Sequence, residues 1–313
     1  MQNQTEVTHF ILMGLTDRQE AQIFLFAIFL FLYLSSVLGN GAIMCVVATE
    51  RRLHTPMYFF LGNLSCLDIC YSTVIVPKTL VGFLLAHQRI SFIGCITQLH
   101  FFHFLGSSEA LLLAAMAYDR YVAICNPLKY PLIMCRTACL LLAAATWTMG
   151  FFHALMHSVM TSRLHFCGPN IIEHFFCDIK PLLRLACSNI IVNLSLLNIV
   201  TGSIVMIPFV LTLLSYLYII SFLFLKIQAH SGRWKAFSTC SSHLTVVGLF
   251  YVPVLFNYLP PSSGDSPQRD MIATLMYSVV TSFLNPLIYT LRNQEMKTAM
   301  RKSLGRLLQS VRR

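Results

Sequence analysis

Seven long apolar runs, separated by short polar segments, make up most of the chain. They occupy Ile23–Ala48, Met57–Leu85, Gly94–Ile124, Ala138–Val159, Leu194–Ile227, Phe237–Leu259 and Met271–Leu291. Each run has the length of a membrane-spanning helix, which needs roughly 20 apolar residues. The runs are continuous, whereas a membrane β-barrel needs alternation over segments of about ten residues. Because a helix satisfies its backbone hydrogen bonds internally, the pattern predicts an all-α bundle of seven transmembrane helices.

The polar segments at the two ends complete this organisation. Residues 1–22 form an N-terminal segment without the basic start and short apolar core of a cleavable signal, and residues 23–291 hold the seven spans. Residues 292–313 form a basic tail. Within it, Glu295–Val311 places apolar and basic residues at helical spacing, which predicts a short amphipathic helix on the inner leaflet.

Composition supports a membrane protein over a soluble one. Hydrophobic residues make up 56% of the chain and charged residues only 11%, against about 25% charged in soluble domains. These percentages and the low numbers of glycines (14) and prolines (12) also exclude collagen-like, disordered and coiled-coil chains.

The charge distribution predicts orientation. With the N-terminus outside, fifteen of the 22 basic residues fall on the inner loops and tail, as the positive-inside rule requires. The net charge of +10 therefore indicates membrane topology and not nucleic-acid binding. Asn3-Gln4-Thr5 is an N-glycosylation acceptor on the outer side, so we expect Asn3 to carry a glycan.

Four cysteines lie on the oxidising side. The long loop between the fourth and fifth runs contains Cys167, Cys177 and Cys187, and Cys95 lies at the outer start of the third run. Four cysteines allow three pairings, and sequence arithmetic does not choose among them.

Two carboxylic acids fall at membrane depth, where charge is costly and usually functional. Asp68 lies in the second run and Glu109 in the third, with Asn40 and Asn285 at comparable depth. Opposed carboxylates repel unless they are protonated or bridged by a cation. The sequence leaves two interpretations: a monovalent cation or proton site, or two protonated acids that are hydrogen-bonded between helices.

A charged triplet, Asp119-Arg120-Tyr121, ends the third run on the inner side. Arg120 is costly to bury without a partner, and the adjacent Asp119 offers one. The pair is interpreted either as a latch that breaks when helices move or as ordinary interfacial charge.

Several motifs, in order, resemble the rhodopsin-like G-protein-coupled receptors: Gly39-Asn40, Asp68, Asp119-Arg120-Tyr121, Trp147, Pro208 with Tyr216, and Asn285-Pro286-Leu287-Ile288-Tyr289. Four longer strings resemble the tetrapod-type olfactory receptors in particular. These are Leu53–Leu61 (LHTPMYFFL), Met116–Cys125 (MAYDRYVAIC), Lys235–His243 (KAFSTCSSH) and Asn285–Asn293 (NPLIYTLRN). The chain departs from the family pattern at Gly62, Ala110, Val252 and Ser282.

The resemblance implies a plasma-membrane odorant receptor that activates the olfactory stimulatory G protein and raises cyclic AMP. It implies disulfides Cys95–Cys177 and Cys167–Cys187 and a bound monovalent cation at Asp68 and Glu109. The expected switch and G-protein-coupling residues are Asp119, Arg120, Tyr121, Tyr216, Asn285, Pro286 and Tyr289. The expected partners are a small odorant, the G protein and membrane lipid, with no cofactor beyond the cation.

A small ligand needs a mostly apolar cavity with a few polar groups, and the resemblance places it in the outer half of the bundle. The expected lining residues share faces of spans three, five, six and seven: Phe102, His103, Gly106, Ser107, Thr201, Val205, Tyr251, Leu255, Tyr258 and Leu275. The pairs His100/His103 and His153/His157 also have the spacing of metal ligands, although packing is the commoner role.

Two other classes of protein fit the sequence less well. Transporters usually contain repeated halves and broken helices at the midplane, and no such repeat is seen. A hydrolase needs a nucleophile with an oriented base, and the chain has neither GxSxG nor HExxH. We therefore expect a receptor and not an enzyme.

Overall fold

The computed structural model describes residues 7–16, 18–85, 88–167, 169–226, 230–258 and 267–311, with side chains omitted at 230–239, 292, 304 and 306–311. Seven of the described helices are long and apolar enough to cross a membrane. Spans one to seven are Gln19–Thr49, Pro56–Leu84, Phe92–Cys125, Arg136–Ser162, Ile191–Lys226, His230–Tyr258 and Pro267–Arg292. The predicted seven-helix bundle is confirmed.

The predicted ends differ from the observed ones by at most four residues, with one exception. Span six begins at His230 and not at Phe237, because its first turns carry polar residues that hydropathy does not count. Span one begins at Gln19, inside the segment predicted to precede it.

Spans five and seven each contain one π-helical segment. Span five runs as Ile191–Leu196, π-helical Leu197–Thr201 and Gly202–Lys226. Span seven runs as Pro267–Leu275, π-helical Met276–Val280 and Thr281–Arg292. A π segment shifts the helical register, so the faces before and after it do not follow simple α-helical spacing.

We call the end of the bundle that the charge distribution predicts to be extracellular the outer end, and the opposite end the inner end. The loops at the outer end contain a small three-stranded sheet that the hydropathy pattern did not predict. Strand β1 (His9–Leu12) pairs antiparallel with β2 (Gln88–Ser91) and parallel with β3 (Ile171–Ile172), so the order is β2-β1-β3. The pairs include Phe10 with Ile90 and Leu12 with Ile172. Phe10 and Leu12 are buried in an apolar cluster with Leu99 and Cys177.

Three short or peripheral helices complete the fold. Tyr130–Ile133 lies in the inner loop between spans three and four, and the loop helix Ile179–Leu185 lies in the long outer loop. The C-terminal helix Gln294–Val311 follows span seven where an amphipathic helix was predicted. The 3-10 turn Arg51–Leu53 connects spans one and two.

Span three is at the centre of the bundle. It packs against spans two, four, five and six. Gly150 of span four lies against the backbone of span three, and Trp147 Nε1 donates to Asn63 Oδ1 of span two at 3.1 Å. Residues on span three are therefore positioned by four neighbours at once.

Candidate functional site

A small cavity lies in the outer half of the bundle, where spans two, three, five, six and seven meet. Its volume is about 30 Å³, enough for one or two water molecules. Its lining residues are Tyr71, Phe102, His103, Gly106, Ser107, Thr201, Val205, Phe250, Val254, Tyr258 and Tyr277. Most of these side chains are aromatic or aliphatic, and several of them add hydroxyl or imidazole groups.

Seven of the ten residues expected from the sequence line this cavity, and three do not. Tyr251 is fully buried, but its hydroxyl donates to Ala110 O at 2.8 Å, toward span three below the cavity. Leu255 packs in the main core and Leu275 lies just before the π segment of span seven. The face of span six that lines the cavity is therefore offset by about one residue from the face chosen from the sequence.

The sequence-based expectation missed Tyr71, Phe250, Val254 and Tyr277. Phe250, Val254 and Tyr258 follow one another at a spacing of four, which marks one face of a helix. That spacing was visible in the sequence. Tyr277, in contrast, lies within a π segment and cannot be assigned to a face by α-helical spacing.

Tyr71 approaches the cavity from span two. Gly106 leaves room for it, because a Cβ at Gly106 would lie 2.9 Å from the Tyr71 hydroxyl oxygen. The Tyr71 and Phe102 rings pack at 5.3 Å, and Phe102 also packs on Phe176 of the outer loop at 4.5 Å. One side of the cavity is therefore a continuous group of aromatic rings.

A hydrogen-bonded chain of four side chains reaches the cavity from spans three, four and five. Ser107 Oγ lies 2.8 Å from His153 Nδ1, and His153 Nε2 lies 2.9 Å from Thr201 Oγ1. His157 Nε2 lies 2.9 Å from the same Thr201 oxygen. All four residues are buried. We call this set the histidine chain; only Ser107 and Thr201 of it line the cavity.

His103 joins the cavity to the outer loop. Its Nε2 lies 3.1 Å from Asp178 Oδ1, and Asp178 also accepts from the backbone N–H of Ile179 at 2.7 Å. Burial raises the pKa of the Asp178 carboxyl, but the His103 bond, the nearby His103 and His174 and the Ile179 bond outweigh it and leave this pKa below its ordinary value. Burial lowers the pKa of His174 to about 4. Asp178 is therefore an ionised acceptor at neutral pH.

The loop helix covers the outer mouth. Lys180 donates to Asn257 O of span six, lies 5.5 Å from the Tyr258 ring centre and is 4.0 Å from Asp270 of span seven. Arg184 lies 3.8 Å from the same carboxylate. These contacts attach the loop to spans six and seven directly above Tyr258.

Disulfides attach the same loop to span three and to itself. Cys95 is bonded to Cys177, and Cys167 to Cys187. Gln98 of span three also holds the loop at this disulfide, since its Oε1 accepts from the Cys177 backbone N–H at 3.0 Å. Asn3, the expected glycosylation site, lies outside the described residues.

A buried polar group lies at the centre of the bundle. Asn285 Nδ2 donates to both carboxylate oxygens of Asp68, at 3.1 and 3.0 Å. Within the described part of the chain, both carboxylate oxygens of Glu109 and the amide oxygens of Asn40 and Asn285 have no hydrogen-bond partner. The Asn40 amide nitrogen donates to Ser282 O at 3.0 Å.

These unpartnered oxygens suit a monovalent cation, which takes carboxylate and amide oxygens. Transition metals prefer sets of nitrogen and sulfur ligands, and no group of three or more His, Cys, Asp or Glu side chains that could hold a metal ion occurs among the described residues. The proposed metal role of the histidine pairs thus has no further ligands in the described structure.

At the inner end, Asp119 bonds to a tyrosine and not to Arg120. Tyr130 Oη donates to Asp119 Oδ1 at 2.8 Å, and no ion pair joins Asp119 to Arg120 in the described ranges. Adjacent residues on a helix point in different directions, which explains the difference from the expected latch. Burial and the Asp119 carboxylate raise the pKa of Tyr130, so its hydroxyl stays protonated.

The other expected switch residues lie on spans three, five and seven. Tyr216 Oη and His243 Nδ1 are 2.6 Å apart, connecting spans five and six. Tyr289 is buried, and its hydroxyl has no partner among the described residues. Tyr121 packs on Tyr218 at 5.2 Å, and Pro286 lies against Gly39 of span one. His243, which the sequence-based expectation missed, is the partner of Tyr216.

Seven spans around a buried aromatic cavity, with a disulfide-bonded loop over its outer mouth, are the arrangement of a seven-helix membrane receptor. The chain belongs to the olfactory receptor family, because a family model described as "Olfactory receptor" matches residues 29–306.

Individual relatives agree along almost the full length. Human olfactory receptor 12D1 is 61% identical over 308 residues, which cover 98% of this chain and 96% of the relative. Human olfactory receptor 12D2 is 59% identical over 98% of this chain and 100% of its own length. Rat olfactory receptor 1f45 is 49% identical over 97% of this chain and 96% of its own length. Such proteins are receptors and not enzymes.

Proposed function

We propose that the protein binds small, mostly apolar volatile molecules in the outer cavity and activates a stimulatory, olfactory-type G protein, raising cyclic AMP. The observation that carries the proposal is the cavity itself: in an olfactory receptor chain, its lining combines aromatic rings with hydroxyl and imidazole groups. Such a combination suits a ligand with an apolar body and one polar atom.

The cavity is small for a ligand site. Pockets for small molecules usually measure about 300–1,000 Å³, whereas this one is about 30 Å³. A ligand must therefore displace aromatic side chains or the loop helix as it enters. Binding then favours the conformations in which these elements have moved, which is how a ligand shifts a conformational equilibrium.

The inner contacts supply the second half of the proposed switch. The hydrogen bond between Tyr216 and His243 connects spans five and six, and the Tyr130 hydroxyl donates to Asp119. When the inner ends of the spans separate, Tyr216 and Tyr289 are free to move toward Arg120, and Asp119, Arg120 and Tyr121 become the G-protein-facing surface. Asn285 and Pro286 of span seven take part through their contacts with Asp68 and Gly39.

We also propose a monovalent cation at Asp68 and Glu109. The buried, unpartnered oxygens of Glu109 support it, because such oxygens are costly unless they bind a proton or a cation. Sodium should raise the melting temperature of the purified receptor, and Glu109→Gln should abolish the sodium effect. An unchanged melting temperature from zero to molar sodium, with potassium as the control, would favour two protonated acids instead.

A cell-based assay tests the main proposal. The receptor is expressed with a stimulatory G protein and a cyclic AMP reporter, and a panel of volatile compounds is applied. Arg120→Ala should abolish responses at equal surface expression. His103→Ala and Tyr258→Phe should shift the half-maximal concentration, whereas Leu275→Ala, which changes a residue outside the lining, should not. Equal effects of all three would reject this cavity as the odorant site.

A further inference from the structure

One tyrosine hydroxyl at the cavity has no hydrogen-bond partner in the described structure. Tyr71 of span two lines the cavity, and only 1% of its surface is exposed. No group among the described residues hydrogen-bonds to its hydroxyl. Buried polar groups normally have a partner, so this hydroxyl is available to an atom that the described residues do not supply.

The other polar side chains of the lining already have partners. They are bonded to groups of the protein in each case: His103, Ser107, Thr201, Tyr258 and Tyr277. A ligand that displaces one of these bonds loses part of what it gains, because the displaced group has to be satisfied again. A ligand that bonds to Tyr71 breaks no bond within the described structure.

Gly106 of span three gives the Tyr71 hydroxyl its place in the cavity. A Cβ at Gly106 would lie 2.9 Å from the hydroxyl oxygen but 3.5 Å from the ring carbon Cζ. The first distance is too short for a real contact, whereas the second is ordinary van der Waals contact. The Tyr71 ring is also packed on Phe102, with ring centres 5.3 Å apart. The missing Cβ therefore makes room for the oxygen and not for the ring.

We propose that the Tyr71 hydroxyl holds the oxygen atom of the odorant, and that Gly106 is the positioning residue that admits this hydroxyl to the cavity. The ligands are compact hydrocarbon skeletons with one oxygen, such as ketones, ethers or alcohols. A phenol hydroxyl donates to each of these oxygens, so Tyr71 does not distinguish among them. This assignment rests on the proposed odorant site.

Removal of the hydroxyl should weaken the binding of oxygenated ligands alone. In Tyr71→Phe the ligand oxygen loses its donor, which should lower affinity about five- to tenfold. A hydrocarbon of the same skeleton makes no such bond and should bind as before. The melting temperature of the ligand-free variant should not fall below that of the wild type, because the hydroxyl has no partner in the described structure to lose.

The test measures direct binding to the purified full-length receptor in nanodiscs, through melting temperatures recorded over a series of ligand concentrations. The probes are matched pairs with and without oxygen: menthone and p-menthane, camphor and bornane, carvone and limonene. The measured quantity is the ratio of the two affinities within a pair. A ratio that is the same in Tyr71→Phe and in the wild type overturns the inference.

Tyr251→Phe is the matched control, since it removes another buried tyrosine hydroxyl of the bundle. The Tyr251 hydroxyl donates to Ala110 O at 2.8 Å and does not line the cavity. This variant should lower the melting temperature and leave the affinity ratio unchanged, which is the opposite of the result for Tyr71→Phe. An equal change of the ratio in both variants would show a general loss of packing and overturn the inference.

A second comparison tests the role of Gly106 without any ligand. Gly106→Ala should lower the melting temperature of the protein that carries Tyr71, because the new methyl group meets the hydroxyl oxygen. In the Tyr71→Phe background the conflict is gone, and the same change should leave the melting temperature unchanged or raise it, as alanine is the better helix residue. Equal changes in both backgrounds would overturn the role of Gly106.

The assay also distinguishes this inference from the proposed function. The expected affinity ratios without any cyclic AMP response would contradict the signalling proposal and leave the role of Tyr71 intact. Cyclic AMP responses to an oxygenated probe that Tyr71→Phe binds as tightly as the wild type does would contradict the inference and leave the receptor function in place.

Discussion

At the scale of single residues, Gly150 allows a close approach between spans three and four. A Cβ there would lie 2.8 Å from Phe104 O and 3.0 Å from Ser108 N, both of them backbone atoms that cannot rotate away. Gly150→Ala should therefore destabilise the receptor by about 1–3 kcal/mol, as overpacking does. Melting temperature and surface yield measure the effect. Gly41→Ala is the control, since nothing lies within 4 Å of its Cβ position; equal losses for both variants would contradict this reading.

Asp178 should make stability depend on pH. Its pKa is lower in the folded protein than in the unfolded chain, so its contribution is present above the ordinary carboxyl pKa of about 4 and is lost as the pH falls through the lowered value. The wild type should melt higher than Asp178→Asn at neutral pH, and the gap should narrow below about pH 4. A gap that stays constant into acid would show that Asp178 acts through its shape and not its charge.

Residue types were easier to predict from the sequence than the directions in which their side chains point. Asp68, Glu109 and Arg120 were recognisable because charge at membrane depth is costly. Tyr251 and Leu255 were assigned to the cavity face because an apolar helix offers no contrast between its lipid side and its inner side. The partners His243 and Tyr130 depend on how separate helices pack, which no local pattern records.

At the scale of elements, hydropathy predicted all seven spans because each must match the thickness of the bilayer. It could not predict the sheet β2-β1-β3, whose strands have four, four and two residues and lie far apart in sequence. It also could not predict the π segments, yet these position Thr201 and Tyr277 at the cavity. The positions of side chains that lie on irregular backbone could therefore not be predicted from the hydropathy pattern.

The C-terminal helix begins at a side-chain cap. Asn293 Oδ1 accepts from the backbone N–H groups of Glu295 and Met296 at 3.0 and 3.2 Å, and Tyr58 of span two donates to Glu295 at 2.9 Å. Asn293→Ala should weaken the first turn by about 1 kcal/mol and speed amide exchange there. Asn293→Asp keeps a capping oxygen and should exchange like the wild type. Equal exchange in all three proteins would contradict a capping role.

At the scale of the whole molecule, both disulfides found among the described residues lie at the outer end. Two disulfides and the ion pairs of Lys180 and Arg184 with Asp270 hold the outer loop. The inner contacts include the hydrogen bond between Tyr216 and His243 and the ion pair of exposed Lys302 with buried Glu50. We therefore expect conformational change to be largest at the inner end.

The distribution of basic residues predicts how the molecule lies in the membrane. An N-terminal tag should bind antibody on intact cells, and a C-terminal tag only after permeabilisation, because Lys and Arg are held on the cytoplasmic side. Asn3→Gln should abolish a glycosidase-sensitive shift in gel mobility. A cytoplasmic N-terminus, or release of the protein from vesicles by high salt, would reject the proposed topology.

Strand β1 is synthesised early in translation, whereas strand β3, with which it pairs, is synthesised much later. Ile11 and Leu12 pair with Ile171 and Ile172, which the ribosome adds only after the helix Arg136–Ser162. With the proposed topology, the first strand waits in the lumen of the endoplasmic reticulum until four helices have been inserted. We therefore expect nascent chains truncated before Ile171 to keep this strand open to luminal chaperones, and maturation to be timed by synthesis of the long loop.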